Sequence, residues 1–380
     1  MPRERGGAPR TPDLVTTMKT RAAVFHRPHE SLGIETLDVR SPGPHEVLVE
    51  FKATGLCHTD LSVVDGALPW AAPTVLGHEG AGVVVETGPM VTYVAPGDHV
   101  IGHSMPQCGH CAYCASERTN LCDELLNGNV MLRSGFASGG VPVHAYMGLG
   151  TFANFAVLNE DQIAKVNPDA PLDKVCTIGC ALVTGVGSAL CSAEVQPGST
   201  ALVIGLGAIG LSVVQGARLA GASRIIAVDT NDAKEAPARL LGATEFVNPK
   251  RIGADLVKHL VDMTGGGADY AFECVGSTAL METTLACTRP GLGVCCLVGI
   301  APADANLKVD PMALLMGRRL ISNSAGNTKV RRDVPRIVDW YMDGKIMLDP
   351  LISHVMPFDR INDGFEMMRA GKVIRPVFLF

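Results

Sequence analysis

Three glycines, Gly205, Gly207 and Gly210, spell G-x-G-x-x-G where a strand-like run passes into a helix-like one, and nothing else in the 380 residues constrains the fold as much. The run TALVIG at 200–205 is apolar and reads as a buried strand. An Ala-rich amphipathic stretch then continues to Gly221, a residue suited to stopping a helix. A second strand, RIIAVD, occupies 224–229. A helix near 232–241 follows, then strands at about 245–247, 269–274, 293–299 and 319–324, with helical stretches between most of them. Strands alternating with helices predict an α/β fold with a doubly wound parallel sheet, and six strands fit two mononucleotide-binding halves. In such a sheet the first glycine turns the chain, the second lets backbone approach a pyrophosphate, and the third lets helix and strand pack closely. Free N–H groups at the helix start favour phosphate. Asp229, 19 residues after the last glycine, is placed to accept hydrogen bonds from ribose hydroxyls and to repel a 2′-phosphate, which favours NAD over NADP. The bland alternative is a glycine-rich turn without a ligand; strand, helix and acid together weigh against it.

Residues 19–181 follow a different grammar. Short β-segments such as HEVLVEFKATG, GAGVVVETG and FANFAVLN are broken by SPGP and APGD, which predicts an antiparallel, barrel-like domain. Residues 1–18, rich in Pro, Gly and Arg and lacking an apolar core, read as a flexible leader rather than a secretory signal. The nucleotide-binding domain is expected over 182–324. Six strands already complete its sheet, so 325–380, with a helix at roughly 333–343 and the closing strand VIRPVFLF, is expected to return to the first domain. The formal charge of −6 comes with interspersed signs and no basic tract, which argues against a nucleic-acid partner. No run reaches ~18 uninterrupted apolar residues, so no membrane span is expected, and a cytoplasmic location is.

In a reducing compartment, crowded cysteines indicate metal rather than disulfides. Cys108, Cys111, Cys114 and Cys122 are spaced C-x2-C-x2-C-x7-C within 106–123. Four thiolates on one loop suit tetrahedral zinc, and a site closed by four sulfurs is structural. An iron–sulfur run would need three residues and then Cys-Pro at its last step, where this chain has seven residues and Asp123 after the cysteine. A second, open site has candidates in Cys57 of GLCHTD, His78 and Glu79 of GHEGAG, and Cys180 of IGCALVTG. Cys, His and Cys with one free position is a known catalytic zinc set. Taken singly, each of these is more often a packing residue. Cysteines 176, 191, 274, 287, 295 and 296 read as packing residues.

These pieces, with PGDHVI, PQCGHCAYC, TNLC, GLGAIGL, FECVG and GKVIRP in order, resemble the zinc-dependent medium-chain alcohol dehydrogenases, over about Lys19 to Phe380. The stretch from Leu125 to Gly150 looks like the longer loop of the dimeric members. The resemblance implies a Rossmann sheet beside a GroES-like β-barrel catalytic domain, two zinc ions per chain, NAD as cofactor and a homodimer. It also implies NAD-linked oxidation of primary alcohols to aldehydes and the reverse, by hydride transfer from a zinc-bound alkoxide. By resemblance, Cys57, His78 and Cys180 hold the catalytic zinc, with Glu79 beside it and Asp60 accepting from His78. Thr59 takes the place of the hydroxyl that bonds the substrate oxygen. His58 and Arg375 lie near the pyrophosphate, and Thr184 packs on the nicotinamide.

Two departures matter. Many members carry a proton-relaying histidine three residues after the hydroxyl residue, and here that place is Ser62. The glutathione-adduct subgroup has an acid and an arginine where this chain has Leu68 and about Leu126, which disfavours glutathione. The substrate-lining places Leu68, Trp70, Ser104, Met105 and Ile300 are mostly apolar, and Ser104 in an aromatic's place widens the inner pocket. Medium-chain, allylic or aromatic alcohols are therefore expected. The alternatives are a polyol, an adduct of a different thiol, and, outside catalysis, an NAD- and zinc-binding sensor.

Overall fold

The computed structural model describes residues 17–380 apart from 118, 254 and 303. Of the leader expected at 1–18, residues 1–16 lie outside the described residues. Thr17 and Met18 already belong to strand Thr17–Phe25, paired with Arg40 and Val39. Met18 packs on the barrel core, a contact that the apolar pattern starting after it does not reveal.

The first part of the chain builds two sheets. Strands Thr17–Phe25, Gly33–Arg40, Phe136–Ser138, Val141–Ala145 and Thr74–Val75 close into a barrel. Beside it, strand Glu46–Gly55 is central to a sheet that runs from Ile163–Lys165 through His99–Gly102 and Glu79–Thr87 to Arg375–Leu379 and Ile352–Pro357. The chain end therefore lies in this sheet: Val377, Phe378 and Leu379 pair antiparallel with Gly55, Thr54 and Ala53. Phe25, Phe51, Phe152 and Phe378 fill the barrel core.

The region from Leu125 to Gly150, read from resemblance as a longer loop, holds a hairpin. Phe136–Ser138 pairs with Val141–Ala145 across Gly139 and Gly140, both at positive φ. A Gly-Gly pair between strand-like residues is the signal for such a turn.

The second part is a six-stranded parallel sheet in the spatial order Glu245–Val247, Arg224–Val228, Thr200–Ile204, Tyr270–Glu273, Val294–Leu297, Arg319–Ser322. Numbered along the chain this is 3-2-1-4-5-6, so the strand order reverses beside Thr200–Ile204, where open α/β sheets bind ligands. Helix Val330–Met342 begins three residues before the patterned 333–343. Its first turn is held by Asp333, whose carboxylate accepts from the Lys329 amide at 2.7 Å.

Candidate active site

The glycine loop divides its labour by position. Gly205 sits at φ 91°, and a Cβ on Gly210 would stand 1.8 Å from the Gly205 carbonyl oxygen, so both are fixed by the chain's own packing. A Cβ on Gly207 would meet nothing within 4 Å. Packing within the chain thus leaves Gly207 unexplained, and an approaching phosphate would explain it. Asp229 directly follows the next strand, Arg224–Val228; its carboxylate accepts from the amides of Leu206 at 2.8 Å and Asn231 at 2.9 Å. These bonds fix the acid beside the loop and leave it lone pairs for ribose hydroxyls.

Cys108, Cys111, Cys114 and Cys122 offer four sulfurs within 4.8 Å of one another. Zinc–sulfur bonds of about 2.3 Å at tetrahedral angles place sulfurs about 3.8 Å apart. The Cys108–Cys114 separation is 3.8 Å and that of Cys111–Cys122 is 4.0 Å, so the lobe has the dimensions of a closed zinc site. Burial pushes the Cys111 thiol up, but the amides of Asp123 and Cys114 outweigh it and bring it down to about 6, toward the thiolate a metal takes.

The second cluster comes from three distant segments. Cys57 caps helix His58–Val64, His78 and Glu79 lie at the start of strand Glu79–Thr87, and Cys180 caps helix Ala181–Gly187. Their ligand atoms lie within 4.8 Å of one another. Asp60 organises two of the segments: it accepts from the Cys57 amide, from the Gly77 amide and from His78 Nδ1, at 3.1, 3.1 and 3.2 Å. With the proton on Nδ1, His78 keeps Nε2 free as a ligand. The contact with Cys180 holds the Cys57 thiol well below the usual range, and the same contact, with burial, pushes the Cys180 thiol well above it. Neither Glu79 oxygen has a hydrogen-bond partner among the described residues, although Arg375 Nη1 stands 3.4 Å from Oε1. Burial lifts the Glu79 carboxyl to about 7 against the pull of Arg375. Two thiols, an imidazole and an unsatisfied buried carboxylate are a donor set that fits zinc.

The remaining predicted residues fall around this cluster. Thr59 Oγ1 lies 3.5 Å from Cys57 Sγ. The Ser62 hydroxyl donates to the His58 carbonyl at 3.0 Å, which ties it to its own helix. Arg375 is buried, donating to the Leu56 carbonyl at 2.7 Å and facing Glu79. Its guanidinium thus backs the metal cluster, and His58, exposed on the helix start, is the more accessible of the two residues assigned to pyrophosphate. Thr184 is buried one turn after Cys180. Gly185 beside it packs against Ser212 and Ile209 of helix Ala208–Leu219, which opens at the glycine loop. One short helix therefore joins the metal cluster to the nucleotide edge. Leu68 and Trp70 pack on the barrel core, Met105 is buried and Ser104 half-buried. Ile300 is 75% exposed and is the most open of these five.

Two buried groups near the cluster escaped the sequence reading. Tyr146, fully buried, sets its ring edge against Trp70 and His78, with centroids 4.4 and 5.6 Å away. His103, also fully buried, accepts from the Met105 amide at Nδ1 and has no partner at Nε2 among the described residues. Burial depresses its pKa to about 4, so it stays neutral. Neither lies in a spaced motif, and only tertiary contacts bring them to the site.

Residues 43–168 match a family model described as alcohol dehydrogenase GroES-like domain, and residues 208–343 one described as zinc-binding dehydrogenase. Among curated proteins, an alcohol dehydrogenase class-3 of Cereibacter sphaeroides and an S-(hydroxymethyl)glutathione dehydrogenase of Paracoccus denitrificans are each 46% identical. Each match covers 96% of this chain and the whole of the relative. Among solved structures, a zinc-binding alcohol dehydrogenase domain protein from Burkholderia ambifaria has a TM-score of 0.90 at 34% identity, covering 96% of this chain and all of that one. Benzyl alcohol dehydrogenase from Acinetobacter calcoaceticus has a TM-score of 0.87 at 31% identity, covering 96% and 99%.

Proposed function

Because the chain belongs to the zinc-dependent medium-chain alcohol dehydrogenases, an enzyme family whose cofactors here are zinc and NAD, we propose that it oxidises the hydroxymethyl adduct of a small thiol. The reaction removes a hydride from the hydroxymethyl carbon to the nicotinamide and a proton from its hydroxyl to solvent, and it leaves a thioformate ester and NADH. The observation that carries the reading is the Cys57–His78–Cys180 cluster, joined through helix Ala181–Gly187 to the nucleotide edge. The name of the Paracoccus denitrificans relative, S-(hydroxymethyl)glutathione dehydrogenase, supports an adduct over a simple alcohol.

Zinc, when bound, supplies the Lewis acidity that brings a hydroxyl's pKa toward neutrality. Cys57, His78 and Cys180 would hold it, and Asp60 orients His78. Thr59, whose hydroxyl lies 3.5 Å from Cys57 Sγ, would accept a hydrogen bond from the substrate hydroxyl, and Thr184 would back the nicotinamide. Cys108, Cys111, Cys114 and Cys122 would hold a second zinc that shapes the lobe.

Glutathione is the weaker partner thiol. Leu68 is packed on apolar core and Leu126 is 50% exposed, and neither offers a charge to glutathione's carboxylates or amine. A second reading, oxidation of aromatic or allylic alcohols, is supported by the apolar Leu68, Trp70 and Met105 and by the likeness to benzyl alcohol dehydrogenase. NADH formation at 340 nm decides between them, with formaldehyde offered alone, with glutathione, and with smaller thiols, beside benzylic and aliphatic alcohols. A thiol that raises kcat/KM above every simple alcohol supports the adduct. No thiol effect overturns it in favour of the second reading.

We also propose a homodimer. Strand Arg319–Ser322 is the edge of its sheet, and Met312, Leu314, Leu315 and Met316 beside it are exposed. Light scattering tests this. No single helix among the described residues is long and apolar enough to cross a membrane. Twelve unpaired thiols suit a reducing cytoplasm.

A further inference from the structure

Tyr146 is held with unusual firmness. The residue after it, Met147, sits at φ 52°, a left-handed conformation that a side-chain-bearing residue adopts only where its surroundings impose it. Gln162 Nε2 donates to the Met147 carbonyl at 2.9 Å, and the amides of Leu149 and Gly150 both donate to the Tyr146 carbonyl. A Cβ on Gly148 would stand 2.9 Å from both Gln162 Oε1 and the Val130 carbonyl oxygen, so the segment cannot relax there. The ring is thus fixed between Trp70 and the zinc-ligand candidate His78.

Yet its hydroxyl, wholly buried, has no hydrogen-bond partner among the described residues. An unmade bond on a buried hydroxyl is destabilising, and such groups in native proteins are met by a ligand or a water. A phenol is protonated at neutral pH, so the hydroxyl is a hydrogen-bond donor. A donor beside the reacting centre selects an acceptor on the substrate.

We propose that the Tyr146 hydroxyl is a specificity-determining group that donates a hydrogen bond to a carbonyl or carboxylate oxygen of the substrate, beyond the reacting hydroxymethyl carbon. It rests on the Cys57–His78–Cys180 cluster as the oxidation site and narrows the substrate class: the preferred thiol adduct carries an amide or carboxylate.

The test is Tyr146→Phe, which removes one oxygen and keeps the ring. Two matched pairs of substrates are compared: the hydroxymethyl adducts of N-acetylcysteine and of ethanethiol, and a hydroxyalkyl amide and 1-hexanol. We expect kcat/KM to fall about tenfold for the polar member, mainly through KM, while the apolar member stays within about twofold. The thermal midpoint should hold or rise, because an unpartnered buried hydroxyl is lost. Equal changes in both members of a pair overturn the proposal, as does a lowered midpoint with unchanged selectivity, the mark of a hydroxyl bound to buried water. Should wild-type enzyme leave both thiol adducts untouched but turn over the alcohols, the adduct reading falls and the alcohol pair still decides the role of Tyr146.

Discussion

Lys329 Nζ donates to the Thr119 carbonyl at 2.6 Å, and this bond ties the four-cysteine lobe to the segment that leads into helix Val330–Met342. The same ammonium reaches the carbonyls of Tyr113, Cys114 and Ser116 at 3.2, 3.3 and 2.7 Å, and the residue is only 6% exposed. One buried cation therefore gathers four carbonyls of the lobe. Asn120 adds bonds from its amide to Asn327 and from its side chain to the Ser324 carbonyl. Gly326, between them, lies so close to helix Ala181–Gly187 that a Cβ would stand 2.5 Å from the Val183 carbonyl oxygen. The lobe is thus fastened to the backing of Thr184.

Lys329→Met should keep the stem's packing and lose the charge-assisted bonds. A hydrogen bond to a charged group is worth about 1.5–3 kcal/mol, so losing the bonds from Lys329 Nζ to the lobe should cost at least roughly 3 kcal/mol. Thermal denaturation measures it. Zinc release to a chelator should quicken for the lobe, and NADH affinity should weaken. An unchanged melting point would show that water replaces the ammonium without cost.

Gly207→Ala and Gly210→Ala should separate affinity from stability. Gly210 has the Gly205 carbonyl where its methyl would go, so Gly210→Ala should misfold or melt well below wild type. Gly207→Ala meets open space and should leave the melting point near wild type. It should weaken NADH binding by about tenfold, ~1.4 kcal/mol, since the methyl stands where a phosphate approaches. Fluorescence titration and melting curves of the two variants read both effects.

Asp60→Asn keeps the shape of the side chain but weakens its hold on His78 Nδ1 and on the Cys57 and Gly77 amides. Loss of such a partner to a metal-binding histidine costs about 10–100-fold in metal affinity or activity. Zinc content after dialysis against chelator should therefore drop from two per chain toward one, with the lobe retaining its ion.

The sequence's legibility followed the distance over which its signals act. The parallel sheet and its glycine loop were readable because strand, turn, helix and acid lie within one βαβ unit. The four cysteines of the lobe were readable because all fall in fifteen residues. Cys57, His78 and Cys180 come from segments far apart in the chain, and no periodicity joins them; only resemblance suggested that they meet. Tyr146 and Lys329 carry no local signature at all, since their roles are made by contacts with Trp70, His78 and the carbonyls of a remote loop. The Gly139-Gly140 hairpin is encoded locally, although likeness to a family's longer loop hides it.

Ser62 offers a test of proton release. Its hydroxyl already donates to the His58 carbonyl, and serine is no base near neutrality. Ser62→His places a group of pKa about 6.5 one turn after His58 on the same helix. The rate at neutral pH should rise, with a new ionisation near that value in the kcat/KM profile. A profile unchanged from wild type would show that the proton leaves by another route.

The last prediction concerns acid stability. Glu46 opens strand Glu46–Gly55 and accepts from Arg40 Nη1 and Nη2 at 2.5 and 2.8 Å and from the Gly43 amide at 2.7 Å, so it pins the turn that links the barrel to the larger sheet. Burial pushes its carboxyl up, but the Arg40 hydrogen bonds, the Gly43 amide and the charges of Arg40 and Arg133 together bring it below the usual carboxylate range. A carboxyl lower in the folded than in the unfolded chain stabilises the fold wherever it is ionised in both. That contribution is complete above the unfolded pKa of about 4.3 and is lost as pH falls through the lower folded value. Glu46→Gln should therefore be less stable than wild type at neutral pH, with the gap between the two closing as pH drops below the unfolded value. Urea denaturation at a series of pH values measures that gap, and a difference constant with pH would mean that the pair's contribution is steric rather than ionic.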